Sequence, residues 1–591
     1  MGTGEYLPGD NESEPCELQS SGQPTRASAR VLIAMAALMA CHLFWLRLGT
    51  EAAYESPDGA GYAVQARLIA TQGHSELRLD SDIQYVGYHW METRDGRFFC
   101  RYPPGFPLLQ GLAYALVGPA AGLWVPSLLA TGLLLLVYLL ARAFVNPRWA
   151  VAAAAVMAVN GVADSQALQN SSHNASAFFL VLGLWLTLRF AKTGRLSLGI
   201  MAGLALGSVP SIRYGEAIAA LGVTVYLLRQ PRPLSKVWPV SLGAVVPLSA
   251  LALRNTMAFG VPWRTGYSLT GEQTAFSFHS LLSHLLGDLG ELQSQGLLWF
   301  FALGAAGLTY QIVHSDRSIR DAGLLFTTIC SSLLIMYMAF YFNGRPVQRF
   351  FLPAFPLMIV AAITLLAQLA TVRCMKEVAV VLLLGQIILG FSAANAAVHQ
   401  EKRTINMASQ LHSFLARNLA PSVVLAGDPR YLESLDYTGI WRLADDAFLV
   451  GHEPYTGDRA DLADYRQPGK NRLQRTPFAQ LPLLERAAQH ALALCAWSNS
   501  GTFYWIGPVP SERMMRTNLL NRLTIERIAE LRFVVANRDN PMTSRVHGTV
   551  RGDASARRLG NNGSAEAPLR WQATGNDAGS PDLVLLRINR S

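Results

Sequence analysis

From residue 31 to residue 397 the chain is a succession of long apolar runs separated by short charged stretches, and no other feature constrains the fold as tightly. A helix rises about 1.5 Å per residue, so roughly 20 consecutive apolar residues cross the hydrocarbon core of a bilayer. The run from Val31 to Gly49 reads as a retained first span. Further candidates fall at 121–141, 149–164, 175–190, 196–212, 215–228, 237–253, 297–313, 322–342, 350–370 and 377–397, about eleven spans in all. The segment 105–118 is apolar but short, and reads as a re-entrant or interfacial helix. Only 15% of the residues are charged and the mean hydropathy is +0.23, whereas soluble proteins carry about a quarter charged residues. A purely soluble enzyme, a disordered scaffold and a coiled coil are excluded. The expected class is mainly α, a polytopic transmembrane helix bundle with a C-terminal extracytoplasmic α/β domain.

Three parts follow from this pattern. Residues 1–30 are polar and lack the basic start of a signal peptide, and so read as a disordered N-terminal tail. Residues 31–400 form the transmembrane domain, including a first outer loop at 50–104. Residues 401–591 read as a soluble α/β domain, with strands expected at 422–426, 491–495, 502–506, 531–536 and 583–588. Helical patterns cover 477–490 and 512–523, and residues 538–580 are Gly/Asn/Arg-rich and read as a long loop. Gly427-Asp428-Pro429-Arg430 reads as a turn after a strand. Six cysteines with no CxxC pattern exclude a disulfide scaffold. Cys100 and Cys495 would lie on the same side, which leaves a bridge between them open.

The charges set the orientation. With the N-terminus in the cytoplasm, the inner connections carry Arg142 and Arg148, then Arg189, Lys192 and Arg195, then Arg229, Arg232 and Lys236, then Arg317 and Arg320, then Arg373 and Lys376. The first outer loop instead holds Glu51, Glu55, Asp58, Glu76, Asp80, Asp82, Glu92 and Asp95. This alternation follows the positive-inside rule. An odd span count places the C-terminal domain outside, in a multi-pass protein of the inner (plasma) membrane. The net charge of +9 is thus explained without nucleic acid.

The first outer loop carries most of the chemistry-bearing residues. It opens Glu55-Ser56-Pro57-Asp58-Gly59-Ala60-Gly61-Tyr62 and closes Arg101-Tyr102-Pro103-Pro104-Gly105-Phe106-Pro107. Asp58 stands on a stiff Pro-Asp-Gly turn. A carboxylate there serves either as the cap of the helix that follows or as a base at the membrane surface. Three later segments stand at ends of spans: Ser211-Ile212-Arg213-Tyr214-Gly215-Glu216, Arg254-Asn255-Thr256-Met257-Ala258-Phe259-Gly260, and Arg349-Phe350-Phe351-Leu352-Pro353-Ala354-Phe355-Pro356.

In order and topology this set resembles the GT-C glycosyltransferases, in particular the protein O-mannosyltransferases and lipid A aminoarabinose transferases. The resemblance covers residues 31–400. It implies transfer of a sugar from a polyprenyl-phosphate donor on the outer face of the membrane. The family carries an acidic residue, usually Asp-Glu, shortly before a Tyr. Here Asp58-Gly59 stands in that place with Tyr62 following, so the second acid is missing. The resemblance implies Asp58 as general base, with Tyr62, Arg101, Tyr102, Arg213 and Arg349 binding substrate. The chemistry agrees, because such a transfer needs a base for the acceptor hydroxyl and cations on the departing phosphate. A single carboxylate serves an inverting displacement, since the leaving phosphate needs no acid.

Alternatives remain at each position. Arg101, Arg213 and Arg349 either converge on a lipid phosphate through paired hydrogen bonds or snorkel to headgroups. Glu216 reads as a partner of Arg213 across the turn. Gln166, Gln169, Asn170, His173 and Asn174 read as an ordinary polar loop, with a sugar pocket as the sharper alternative. His74 and His89 lack metal-ligand spacing with Asp80 or Asp82, so no metal and no other cofactor is expected. The expected partners are the donor lipid, the bilayer and an acceptor glycan, lipid or protein. A transporter or flippase of a lipid-linked envelope intermediate, and a non-catalytic membrane scaffold, are the competing readings.

Overall fold

In the computed structural model the described residues are 26–50, 53, 57–87, 89–93, 95–269, 276–340, 348–451, 472–519, 523–531 and 583–590. The N-terminal tail up to residue 25 and the 538–580 loop lie outside them. The chain opens with α1 (Arg26–Arg47), followed by α2 (Pro57–Gln72) and three short strands, β1 (Glu76–Leu77), β2 (Trp90–Glu92) and β3 (Phe98–Cys100). These strands pair antiparallel in the order β1-β3-β2. The segment after α1 therefore contains a helix backed by a small sheet. The bundle continues through α3 (Gly105–Val117), α4 (Pro119–Ala141), α5 (Pro147–Ala158), α6 (Gly161–Leu168), α7 (His173–Thr193), α8 (Leu196–Ile212), α9 (Ala220–Leu228) and α10 (Pro233–Phe259). It closes with α11 (Gly266–Leu269), α12 (Phe278–Glu291), α13 (Trp299–Val313), α14 (Arg317–Ala339), α15 (Gln348–Phe351), α16 (Phe355–Leu369) and α17 (Lys376–Asn418).

Among the described residues seven helices are long and apolar enough to span, or up to nine if each of two bent pairs is one span. The pairs are α5 with α6, bent by 55°, and Phe278–Gly296 with α13, bent by 109°. The count of about eleven from sequence included 196–212 and 215–228, which form shorter apolar helices, Leu196–Ile212 and Tyr214–Leu228. The first, 17 residues long, lies at the short end of spanning lengths. A hydropathy pattern records apolarity but not the length of the helix that results. Lipid offers little hydrophobic force between helices, so close packing of small residues holds the bundle. Gly203 of α8 and Gly243 of α10 meet this way. A Cβ on Gly203 would lie 2.8 Å from the Ala244 nitrogen, and one on Gly243 2.9 Å from the Leu204 nitrogen.

Helix α17 is 43 residues long. Its C-terminal part runs into the soluble domain, where Leu411, Phe414 and Leu415 join the core. The domain boundary placed near residue 400 thus falls inside a continuous helix. Lys402 ties this helix to the end of α1, donating to the Trp45 carbonyl at 2.6 Å and the Leu48 carbonyl at 2.8 Å.

The C-terminal domain contains β4 (Val424–Gly427), α18 (Pro429–Asp436), β5 (Arg442–Asp445), α19 (Ala447–Val450), α20 (Arg472–Arg475), α21 (Leu483–Trp497), β6 (Thr502–Gly507), α22 (Val509–Asn518), β7 (Leu523–Leu531) and β8 (Leu583–Arg590). Its sheet runs β5-β4-β6-β8-β7, parallel across the first three strands and antiparallel at β8 and β7. The strand expected at 491–495 is instead part of α21. A short apolar run has no period that separates buried strand from buried helix, and here it packs as one face of a helix through Ala487, Ala491 and Leu494. The strand expected at 531–536 begins where β7 ends, and its remainder lies outside the described residues.

This domain rests on the segment between α1 and α3. The Tyr85 nitrogen donates to the Leu443 carbonyl at 2.7 Å, Gln84 bridges to Ala444, and Arg475 pairs with Glu92. Tyr437, just beyond α18, packs against the cluster built on Tyr62 and Tyr102. This segment and the domain therefore share one face of the bundle.

Candidate active site

Pro57 fixes the first turn of α2, which brings Asp58 to the head of the helix. Two close approaches then set the walls around it. Gly105, in the Tyr102-Pro103-Pro104-Gly105 turn, lies against α8; a Cβ there would sit 2.8 Å from the Ser211 carbonyl carbon. Gly266, opening α11, lies against the Arg101 backbone, with a Cβ 2.6 Å from its carbonyl carbon. Only glycine permits either approach.

The result is a cavity of about 280 Å³ at the face shared by the bundle and the C-terminal domain. All six residues singled out in the sequence, Asp58, Tyr62, Arg101, Tyr102, Arg213 and Arg349, line it. The Tyr102 hydroxyl donates to Asp58 Oδ1 at 2.7 Å, and an Arg349 nitrogen lies 3.8 Å from Asp58 Oδ2. Arg101 donates to the Tyr102 hydroxyl at 3.3 Å. The Tyr62 ring stacks on Tyr102 at 4.8 Å, and its hydroxyl meets Ser172 Oγ at 2.9 Å. Arg213 pairs with the buried Glu216 at 2.7 Å, as expected from sequence, and also reaches Ser172 and His173 at 3.3 Å. Both Arg213 and Arg349 lie over the Phe350 ring.

Burial works to raise the Asp58 pKa, but the Arg349 charge, His89, the Tyr102 hydrogen bond and Arg101 outweigh it and hold this carboxyl well below the usual carboxylate range. Asp58 is therefore an anion at any physiological pH. Its side-chain oxygens meet Tyr102 and Arg349, while Ser277 and Asn146, for comparison, cap their helices by accepting backbone N–H bonds. In the C-terminal domain, burial followed by the charges of Asp58, Asp436 and Asp428 pushes Glu433 up to about 8, against the opposing hydrogen bond from Tyr85. Helix α18 thus brings a largely protonated carboxyl within electrostatic reach of Asp58.

The sequence reading missed the aromatic wall. Tyr214, Tyr267, Phe276, Tyr337, Phe340 and Phe350 line the cavity beside the charged groups. Arg254, marked by its motif, supports the wall from behind by donating to the Cys100 carbonyl at 2.7 Å. The ordinary polar loop expected around Gln166–Asn174 is a correction. Gln166, Asn170, His173 and Asn174 are buried, and Gln169 bonds Glu401 at 2.6 Å. Polar side chains buried inside a bundle look the same in sequence as those that face water. His74 is exposed, while His89 is buried against Tyr102. Among the described residues no group of three His, Cys, Asp or Glu side chains is placed to hold a metal. Cys100 and Cys495 are both buried and free, Cys100 in β3 and Cys495 in α21.

Residues 101–253 match the dolichyl-phosphate-mannose-protein mannosyltransferase family. The match includes Arg101, Tyr102 and Arg213 and leaves Asp58, Tyr62 and Arg349 outside it. No curated protein matches the chain in sequence. Among solved structures, ArnT from Cupriavidus metallidurans, bound to undecaprenyl phosphate, is similar with a TM-score of 0.52 and 13% identity, over 85% of this chain and 96% of that one. The Archaeoglobus fulgidus oligosaccharyltransferase in complex with Zn and sulfate is similar with a TM-score of 0.50 and 13% identity, over 81% and 68% of the two chains. At such identity the structural likeness concerns the fold. The family match is confined to residues 101–253, and the structural likeness shows the fold, a multi-pass helical bundle with a C-terminal domain like those of these two proteins.

Proposed function

We propose that this protein moves a sugar from a polyprenyl-phosphate donor to an acceptor hydroxyl at the outer face of the membrane, with Asp58 as the base. The observation that carries this reading is the cavity itself, in which one ionised carboxylate faces three guanidiniums between aromatic walls. Arg349, Arg213 and Arg101 bind the donor phosphate, where planar guanidiniums suit its oxygens. The aromatic rings take the apolar faces of the sugar. The acceptor oxygen attacks C1 from the Asp58 side and gives its proton to the carboxylate. The C1–O bond to phosphate breaks, and the electron pair leaves with the polyprenyl phosphate. Because Asp58 is the one carboxylate among the described lining residues, a single inverting displacement fits best. A strongly stabilised carboxylate is a weak base, and Arg349 offers the remedy. Drawing its guanidinium toward a bound phosphate loosens its hold on Asp58 and raises the basicity of the carboxylate when the donor is in place.

The test is incubation of the purified protein with a panel of labelled polyprenyl-phosphate sugars. Release or transfer of label from at least one supports the reading, and none from a broad panel counts against it. Orientation is tested in intact cells. A cysteine at exposed position 500 should react with an impermeant reagent and one at exposed position 234 should not; the reverse pattern would overturn the outer-face assignment.

A further inference from the structure

The turn between α6 and α7 contains a residue whose conformation and bonding have no role in the steps above. Asn170 is fully buried and adopts φ +56°, in the left-handed region that non-glycine residues enter rarely and asparagine enters most readily. Its amide nitrogen donates to the Gly59 carbonyl at 2.8 Å, and its Oδ1 accepts from Gln110 Nε2 at 2.5 Å. Gln110, buried in α3, also donates to the Gly122 carbonyl at 3.1 Å. Because a carbonyl can only accept, the bond to Gly59 fixes which way the Asn170 amide points. A continuous chain of hydrogen bonds thus runs from the α3–α4 hairpin through Gln110 and Asn170 to the Gly59 carbonyl, one residue beyond Asp58.

The same short turn reaches two other site residues. Ser172 Oγ meets the Tyr62 hydroxyl at 2.9 Å and accepts from Arg213 at 3.3 Å. Four residues of backbone therefore tie together the carboxylate's turn, the tyrosine stacked beside it and one guanidinium. Asp58 lies at the start of its helix, and the Gly59 carbonyl beside it is held from the bundle side by Asn170.

We infer that Asn170 is a positioning residue for the reaction, holding the Asp58–Gly59 turn against the bundle through its left-handed conformation and its bond to the Gly59 carbonyl. This rests on the reading of Asp58 as the base. Its consequence is a separation of chemistry from donor binding. The Asp58 carboxylate has to lie within hydrogen-bond reach of the acceptor hydroxyl, and a displacement of about 1 Å in such geometry lowers turnover on the order of 100-fold. Arg101 and Arg349 lie on other segments, and Arg213 keeps its shorter bond to Glu216 at 2.7 Å, so phosphate binding should not sense the change.

Two variants of the full-length protein test this. Asn170→Asp keeps the size, the tolerance of left-handed backbone and the oxygen that accepts from Gln110, but sets an oxygen against the Gly59 carbonyl where a donor stood. Asn170→Gly keeps the backbone conformation and removes the side chain. The probes are undecaprenyl phosphate for binding and the labelled donor that the wild type turns over in the panel. Expected for each folded variant is a fall in kcat of at least about 10-fold, with KM and undecaprenyl-phosphate affinity within about 3-fold of wild type. Unchanged kcat in either folded variant overturns the inference. So does a parallel loss of kcat, affinity and thermal stability, or failure of both variants to fold, since each assigns Asn170 a structural role alone. Asp58→Asn is measured beside them. If that variant keeps full turnover, the reading of Asp58 fails first and this inference falls with it; if it loses turnover while the Asn170 variants keep theirs, only the inference falls.

Discussion

Replacing Gly266 with alanine adds a single methyl group where the structure has no room for it. The new Cβ would lie 2.6 Å from the Arg101 carbonyl carbon, and closer still to the Arg101 Cα and carbonyl oxygen. Ordinary carbon contacts begin near 3.5 Å. The obstacle is backbone rather than the far end of a flexible side chain, so no rotamer change relieves it. Either α11 or the Arg101 segment must retreat by roughly 1 Å. Both borders of that contact line the cavity, since Tyr267 follows Gly266 and Tyr102 follows Arg101. Tyr102 holds Asp58 Oδ1, so the displacement reaches the carboxylate through one hydrogen bond. Overpacking of this kind destabilises by about 1–3 kcal/mol, while a 1 Å error in a catalytic constellation lowers turnover about 100-fold. Gly266→Ala should therefore remain folded and inserted, with a modest fall in thermal stability and a large fall in kcat. The assay is single-turnover transfer of labelled sugar beside a thermal melt in the same detergent. Wild-type kcat in a folded Gly266→Ala protein would refute the reasoning, because it would mean that the Arg101–Gly266 contact does not set the geometry of the site.

Arg349 yields two further predictions. Arg349→Ala should weaken undecaprenyl-phosphate binding by about 10- to 150-fold, the loss of one charge-assisted hydrogen bond worth about 1.5–3 kcal/mol. Arg349→Lys should recover only part of that loss, since lysine brings a point charge rather than a planar fork; titration of both variants decides it, and wild-type affinity in Arg349→Ala removes the residue from the phosphate site. The same variant changes the pH dependence. Arg349 is the largest influence that lowers the Asp58 pKa against burial, so its removal moves that pKa upward toward the ordinary carboxylate value. Activity lost by protonation of Asp58 then sets in at higher pH. A kcat profile from pH 4 to 8 should show an acid limb in Arg349→Ala that the wild type lacks, and identical profiles would contradict the pairing.

The parts of this molecule legible in the sequence were those fixed by composition over long stretches or by motifs with their own chemistry. Apolar runs of the right length gave the bundle, and the charged residues at their ends gave an ordering that brought Asp58, Arg101, Arg213 and Arg349 to the same side. That these four share one cavity with Tyr62 and Tyr102 depends on helix crossings that no local pattern records. The aromatic wall was invisible for the same reason. Tyr214 and Phe350 stand inside the quoted motifs without a role of their own, and Tyr267 and Tyr337 stand in none. Asn170 was read as part of a polar loop, because nothing in Gln169-Asn170-Ser171-Ser172 distinguishes a buried left-handed turn from a solvated one. The run 491–495 reads as strand because five apolar residues fit either period.

The measurement that bears most directly on the central claim is single-turnover transfer by Asp58→Asn at saturating donor. Asparagine preserves size and can cap a helix about as well as aspartate, but it cannot take a proton. General-base catalysis is worth typically 10²–10⁴-fold. The folded variant should bind donor and transfer sugar at least about 100-fold more slowly than wild type. Near-normal turnover would contradict the account, and the carboxylate that the tyrosine and arginine hold ionised would then have a structural task only.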